Sequence, residues 1–135
     1  MALIMWGPQL SVKVKEIDEQ HQKLVALVNT LHDAMKEGRG KDVMKKVLGE
    51  LTDYTVYHFT AEEKLFQKYA YPKYPDQKRE HDKLTAQVLE LKKKADSGAS
   101  VITMEVMNFL KDWLSSHIMG ADKMGGEYLN SKGVS

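Results

Sequence analysis

Not one cysteine occurs in the 135-residue chain, and that absence removes disulfides, zinc-thiolate sites, iron-sulfur clusters and thiol nucleophiles together. Any metal the protein holds must be bound through nitrogen and oxygen. Net charge is nearly absent too: 20 Lys and Arg stand against 19 Asp and Glu, a formal charge of +1. Such a balance gives no bulk field to recruit nucleic acid or an anionic membrane, so neither is an expected partner. Long apolar runs are missing, since none approaches the ~18 residues of a membrane span. The opening MALIMWGP has neither a basic flank nor a small-residue cleavage pattern. A soluble, cytoplasmic protein is the expectation. Hairpin signals, repeats and low-complexity tracts are lacking as well. At 15.4 kDa the chain is long enough to bury one core and short for two, so a single domain over residues 1–135 is expected.

What remains is helical periodicity. Asp18 precedes Leu24, Val25, Val28, Leu31 and Met35 at three- and four-residue spacing, until the glycines of EGRG end the segment. A second stripe runs from about Asp42 through Val47, Leu51, Tyr54, His58, Glu62, Leu65 and Tyr69 to the prolines of YAYPKYP. The third starts near Pro75 and aligns Gln77, His81, Leu84, Val88 and Leu91 before DSGAS. The fourth follows Ser100, a suitable N-cap, and carries Val106, Leu110, Trp113, His117 and Ala121 before fading at MGGEYL. Four amphipathic helices with short connections predict an all-α fold, an up-and-down antiparallel four-helix bundle. The first dozen residues, with Leu3, Trp6 and Leu10, predict an arm laid over it. Tyr54, Tyr69, Phe109 and Trp113 are expected in the core, with Met119 and Met124 filling gaps there.

Polar residues interrupt these stripes in a pattern. Four of the five histidines lie on or beside them: His21, His58, His81 and His117, one per helix. A lone histidine on an apolar face is usually a hydrogen-bonded core residue. Four on separate inward faces fit that account badly, because antiparallel packing brings all of them toward one end of the bundle. Converging imidazoles repel when protonated and leave donors unpaired when merely buried, and a metal answers both problems. Glu62 lies four residues after His58, about 40 degrees round the helix, so the two point to one place. Asp122 follows His117 by five residues, about 140 degrees round an ideal helix, a poorer match that Gly120 could ease by loosening the turn. His32 lies three turns from His21 toward the other end and is expected to be a surface or structural residue outside the site. Imidazole plus carboxylate suits iron, manganese or zinc. The candidates outnumber the four ligands of one zinc, so a two-metal site bridged by carboxylates fits better, with iron as the first expectation.

The segments DEQHQKLVALVNTLHDAM, HFTAEE, REHDKL and WLSSHIMGADK, with Trp6 in the arm, resemble the helices of bacterial hemerythrins over nearly the whole chain. The resemblance implies two non-haem iron ions bridged by Glu62, Asp122 and an oxo or hydroxo group. It places His21 and His58 on the oxygen-binding iron, His81 and His117 on the other, and Ile118 in the wall of the pocket. The implied role is reversible binding of dioxygen for storage, delivery or sensing by a monomeric protein that is not an enzyme.

One position departs from the pattern: QKREH puts Gln77 where the family carries a histidine. Gln77 points inward beside His81, either as a metal ligand through its amide oxygen, a weaker partner for iron than imidazole, or as a hydrogen-bonding neighbour with water in the remaining position. A weak or open iron position would favour peroxide or small anions as partners, so a di-iron oxidase or peroxidase, or a redox or oxygen sensor module, stands as the alternative.

Overall fold

The computed structural model describes residues 3–37, 41–96 and 104–135. Its helices are α1 (Lys15–Lys36), α2 (Lys41–Lys68), α3 (Tyr74–Asp96), α4 (Met104–His117) and α5 (Lys123–Ser131). They form the expected four-helix bundle: α1 packs on α2 and α4, α2 packs on α3, and Trp113 Nε1 of α4 donates to Leu84 O of α3 at 3.3 Å. The stripes read from the sequence supply the core, with Leu24, Val28 and Leu31 of α1, Leu48 and Leu51 of α2, Val88 of α3, and Met107 and Leu110 of α4 almost fully buried. The EGRG turn after Glu37 and the Ser100 cap lie outside the described residues, as does the side chain of Val106.

The arm is tied down at two points. Asn29 makes a reciprocal pair with the backbone of Ile4, each bond 2.9 Å, and Asp18 accepts from Ser11 Oγ at 2.6 Å and Val12 N at 2.8 Å. Asp18 therefore lies inside the first turn of α1, three residues past a start at Lys15, where a carboxylate also suits the helix N-terminus. Leu10, Val12 and Val14 are buried, while Leu3 and Trp6 pack against the core.

The fourth helix does not fade at MGGEYL. It passes through one π turn, Ile118–Asp122, and continues as α5. Its paired glycines are contact points: a Cβ on Gly125 would sit 2.5 Å from Phe66 Cζ, and one on Gly126 would sit 2.4 Å from Val12 O. Missing side chains thus let α5 approach α2 and the arm, an approach that outweighs the poor helix propensity of glycine. Tyr128 Oη then donates to Tyr69 O at 2.6 Å.

Trp113 is buried, and Tyr54 and Tyr69 pack partly buried against the core. Three expectations fail. Phe109 is 38% exposed, Met119 48% and Met124 47%. Leu110, Ile118, Asp122 and Gly125 are the residues turned inward, so these neighbours are carried to the outer face.

Candidate metal centre

His21, His58, Glu62, Gln77, His81, His117 and Asp122 are all at most 4% exposed and gather at one place between the helices. Two pairs of imidazoles form: His21 and His58 have ring centroids 4.6 Å apart, and His81 and His117 5.2 Å. The carboxylates stand between the pairs. Asp122 presents Oδ2 to His21 Nε2 at 2.8 Å and Oδ1 to His117 Nε2 at 3.0 Å. Glu62 Oε1 lies 2.9 Å from His58 Nε2 and 3.5 Å from His81 Nε2. Two groups of potential metal ligands result, His21, His58, Glu62 and Asp122, and Glu62, His81, His117 and Asp122, with the carboxylates common to both.

The π turn explains the fifth residue. An i→i+5 turn brings residue i+5 back over residue i, where an ideal α-helix leaves it on another face. Asp122 therefore meets His117 although their spacing in an α-helix is unfavourable.

Outside this shell each of three imidazoles has a fixed acceptor. His58 Nδ1 donates to Gln20 Oε1 at 2.6 Å, His81 Nδ1 to Glu63 Oε2 at 2.9 Å, and His117 Nδ1 to Glu80 Oε1 at 3.1 Å. A carboxylate or carbonyl oxygen only accepts, so a proton belongs on Nδ1, and Nε2 is the inward atom, a lone pair whenever the ring is neutral. These acceptors were not anticipated, although each is the sequence neighbour of an inward residue: Gln20 of His21, Glu63 of Glu62, Glu80 of His81. One residue is about 100 degrees of helix, so each neighbour reaches the histidine of an adjacent helix. Phe59 was missed as well. Its ring stacks on His81 at 4.0 Å and meets His117 edge-on at 5.4 Å, which makes it an apolar wall. Ile118 is fully buried. His32 is buried but belongs to neither ligand group, about 16 Å along α1 from His21 at 1.5 Å per residue.

The charges are finely balanced. Burial pushes the Glu62 carboxyl up, but the His58 charge and the close approach of the His117, His58 and His81 ring nitrogens hold it well below the usual range. Burial and Glu62 both work to raise Asp122, and His117 and His21 outweigh them to hold it low. For His117, burial works against the charged form, yet Asp122, Glu62 and Glu80 raise it well above the ordinary imidazole value.

Despite short N···O separations, many inward atoms lack a hydrogen-bond partner of acceptable geometry among the described residues: His58 Nε2, His117 Nε2, both Glu62 oxygens, Asp122 Oδ2 and both His21 nitrogens. Buried lone-pair donors that converge without pairing to one another are what a cation fits. Fold and site together define a metal-binding helical bundle with an all-nitrogen-and-oxygen donor set shared between two positions.

Residues 12–125 match the model of the hemerythrin HHE cation binding domain. The chain belongs to the hemerythrin family. It is 36% identical over 132 residues to a bacteriohemerythrin of Methylococcus capsulatus, covering 97% of this chain and 100% of that one. It is 37% identical over 117 residues to a hemerythrin-like protein of Naegleria gruberi, covering 87% of this chain and 86% of that one. A crystal structure of wild-type hemerythrin superposes with a TM-score of 0.89 at 36% identity, covering 95% of this chain and 98% of that chain.

Proposed function

We propose that the protein is a non-haem di-iron protein that binds dioxygen reversibly, with residues 1–135 forming one hemerythrin-like domain. His21 and His58 would hold the iron that faces oxygen, His81 and His117 the other, and Glu62 and Asp122 would bridge them. The observation that carries this reading is the pair of imidazole couples around two shared carboxylates whose inward atoms lack other partners. Family membership and the similarity to bacteriohemerythrins support it.

When bound, an iron pair supplies reversible two-electron redox chemistry toward dioxygen. The chain's own residues prepare that chemistry. Gln20, Glu63 and Glu80 accept hydrogen bonds from Nδ1 of three histidines and so keep Nε2 available as a ligand. Glu62 and Asp122 bring two negative charges into a buried space, which offsets cationic charge that the apolar surroundings would otherwise penalise. Phe59, stacked on His81, and the fully buried Ile118 give the site apolar surroundings that restrict water.

A di-iron oxidase or peroxidase is the second reading, favoured by Gln77, whose amide replaces an imidazole donor in the site. Elemental analysis combined with optical spectra under air and after deoxygenation separates the two. The oxygen-binding reading expects about two irons per chain and an oxygen-dependent band that disappears on deoxygenation. An irreversible ferric spectrum, with turnover of hydrogen peroxide against a reducing dye, would instead support the enzyme, and little or no iron would refute both.

A further inference from the structure

Gln77 is buried with its amide nitrogen 2.7 Å from Asp122 Oδ1 and 3.4 Å from His81 Nε2. Both neighbours are acceptors. Asp122 Oδ1 is a carboxylate oxygen at donor distance from the amide nitrogen, and His81 turns Nδ1 to the acceptor Glu63 Oε2 at 2.9 Å, so Nε2 is the lone-pair atom of the neutral ring. An amide oxygen turned to the same place would face the Asp122 carboxylate oxygen, which keeps a lone pair for a donor even when the other is given to a metal, so the N–H₂ end belongs inward. An N–H donor cannot coordinate a cation.

We propose that Gln77 is a hydrogen-bond donor and not a ligand, and that the metal held by His81 and His117 keeps a coordination position for a small anion, which the Gln77 amide N–H orients. The inference rests on the di-iron reading. Each metal then receives the same protein donors, two imidazoles and the two shared carboxylates, fewer than the octahedral set that iron accepts with nitrogen and oxygen ligands. Symmetry of donors makes both metals open. A neutral amide donor beside a cation favours an anionic acceptor, and the burial of Gln77, His81 and His117 with Phe59 alongside restricts the ligand to a few atoms. Binding is ligand exchange: the anion forms one metal bond, a water molecule leaves, and no electron is transferred.

The test is an azide titration of the iron-loaded, fully oxidised protein followed by its charge-transfer absorption, with iron counted in each sample. Wild type is expected to take up two azides per pair of irons. Gln77→His, which restores an imidazole ligand, should take up one. Gln77→Leu, of similar size with neither donor nor ligand atom, should keep both and bind the second about tenfold more weakly, the loss of one hydrogen bond to a charged group. One azide in wild type with a full complement of iron would overturn this inference alone. An unchanged second step in Gln77→Leu would overturn the donor role, and failure of wild type to load two irons would overturn the di-iron reading and this inference together.

Discussion

Replacing Glu63 with leucine tests whether the outer acceptors hold the imidazoles in the metal-binding tautomer. Glu63 Oε2 accepts a hydrogen bond from His81 Nδ1 at 2.9 Å, and its side chain is 17% exposed. A hydrogen bond to a charged, largely shielded group contributes about 2 kcal/mol, or about a 30-fold loss in affinity for the metal that His81 binds. Glu80 makes a similar bond to His117 at 3.1 Å, but its side chain is 39% exposed. Water can replace that acceptor, so Glu80→Leu should cost about 0.5–1 kcal/mol, a two- to fivefold loss. Gln20, neutral and buried, should fall between them. Glu63→Gln, which keeps an acceptor oxygen, should recover most of the lost affinity. The assay is competition for zinc(II) against a chromophoric chelator at fixed pH, with helicity checked by circular dichroism. Glu63→Leu binding both metals within twofold of wild type, or Glu80→Leu losing more than Glu63→Leu, would refute the reasoning.

Two further outcomes follow from the geometry. For the metal-free chain, the raised His117 contributes stability that is full below the ordinary imidazole value and is lost as pH rises through the raised one. Glu62 and Asp122, held low, contribute above the ordinary carboxylate range and lose it as pH falls. The Tm of that form should therefore peak between about pH 4.5 and 6.5, while metal affinity changes oppositely and weakens on acidification because metal displaces the His117 proton. A metal-free Tm that climbs from pH 6 to pH 9 would contradict this. At the glycines, Gly126→Ala places a carbon against the Val12 carbonyl and should destabilise by about 1–2 kcal/mol after its gain in helix propensity. Gly120→Ala, which meets none of the described residues within 4 Å, should be neutral or stabilising by up to about 1 kcal/mol; thermal melts of the two variants compare them directly.

The site was legible because its residues interrupt apolar stripes, and an interruption on an inward face is costly enough to need a reason. His21, His58, Glu62, Gln77, His81 and His117 were singled out this way, Asp122 only by its spacing from His117 and the family resemblance, and the structure brings all seven together. Bundle class and helix order were equally plain. Less visible were features that depend on neighbouring helices. Gln20, Glu63 and Glu80 sit one position off the stripe, where a polar residue normally means solvent. Their function exists only because the next helix presents an Nδ1–H within reach. A π turn leaves little local signature beyond permissive Gly120, so an ideal helical projection misplaced Asp122. Gly125 and Gly126 read as a helix end on propensity, whereas Phe66 and Val12 require the absence of a side chain there. Met119 and Met124 followed from the same misprojection past His117.

The central claim is that two metals share Glu62 and Asp122, each completed by one pair of imidazoles. Anomalous diffraction at the iron edge from crystals of the iron-loaded protein tests it most directly. The account expects two peaks about 3.5–4 Å apart, one against His21 and His58 and the other against His81 and His117, with both carboxylates between them. A single peak, or iron bound away from Glu62 and Asp122, would contradict it.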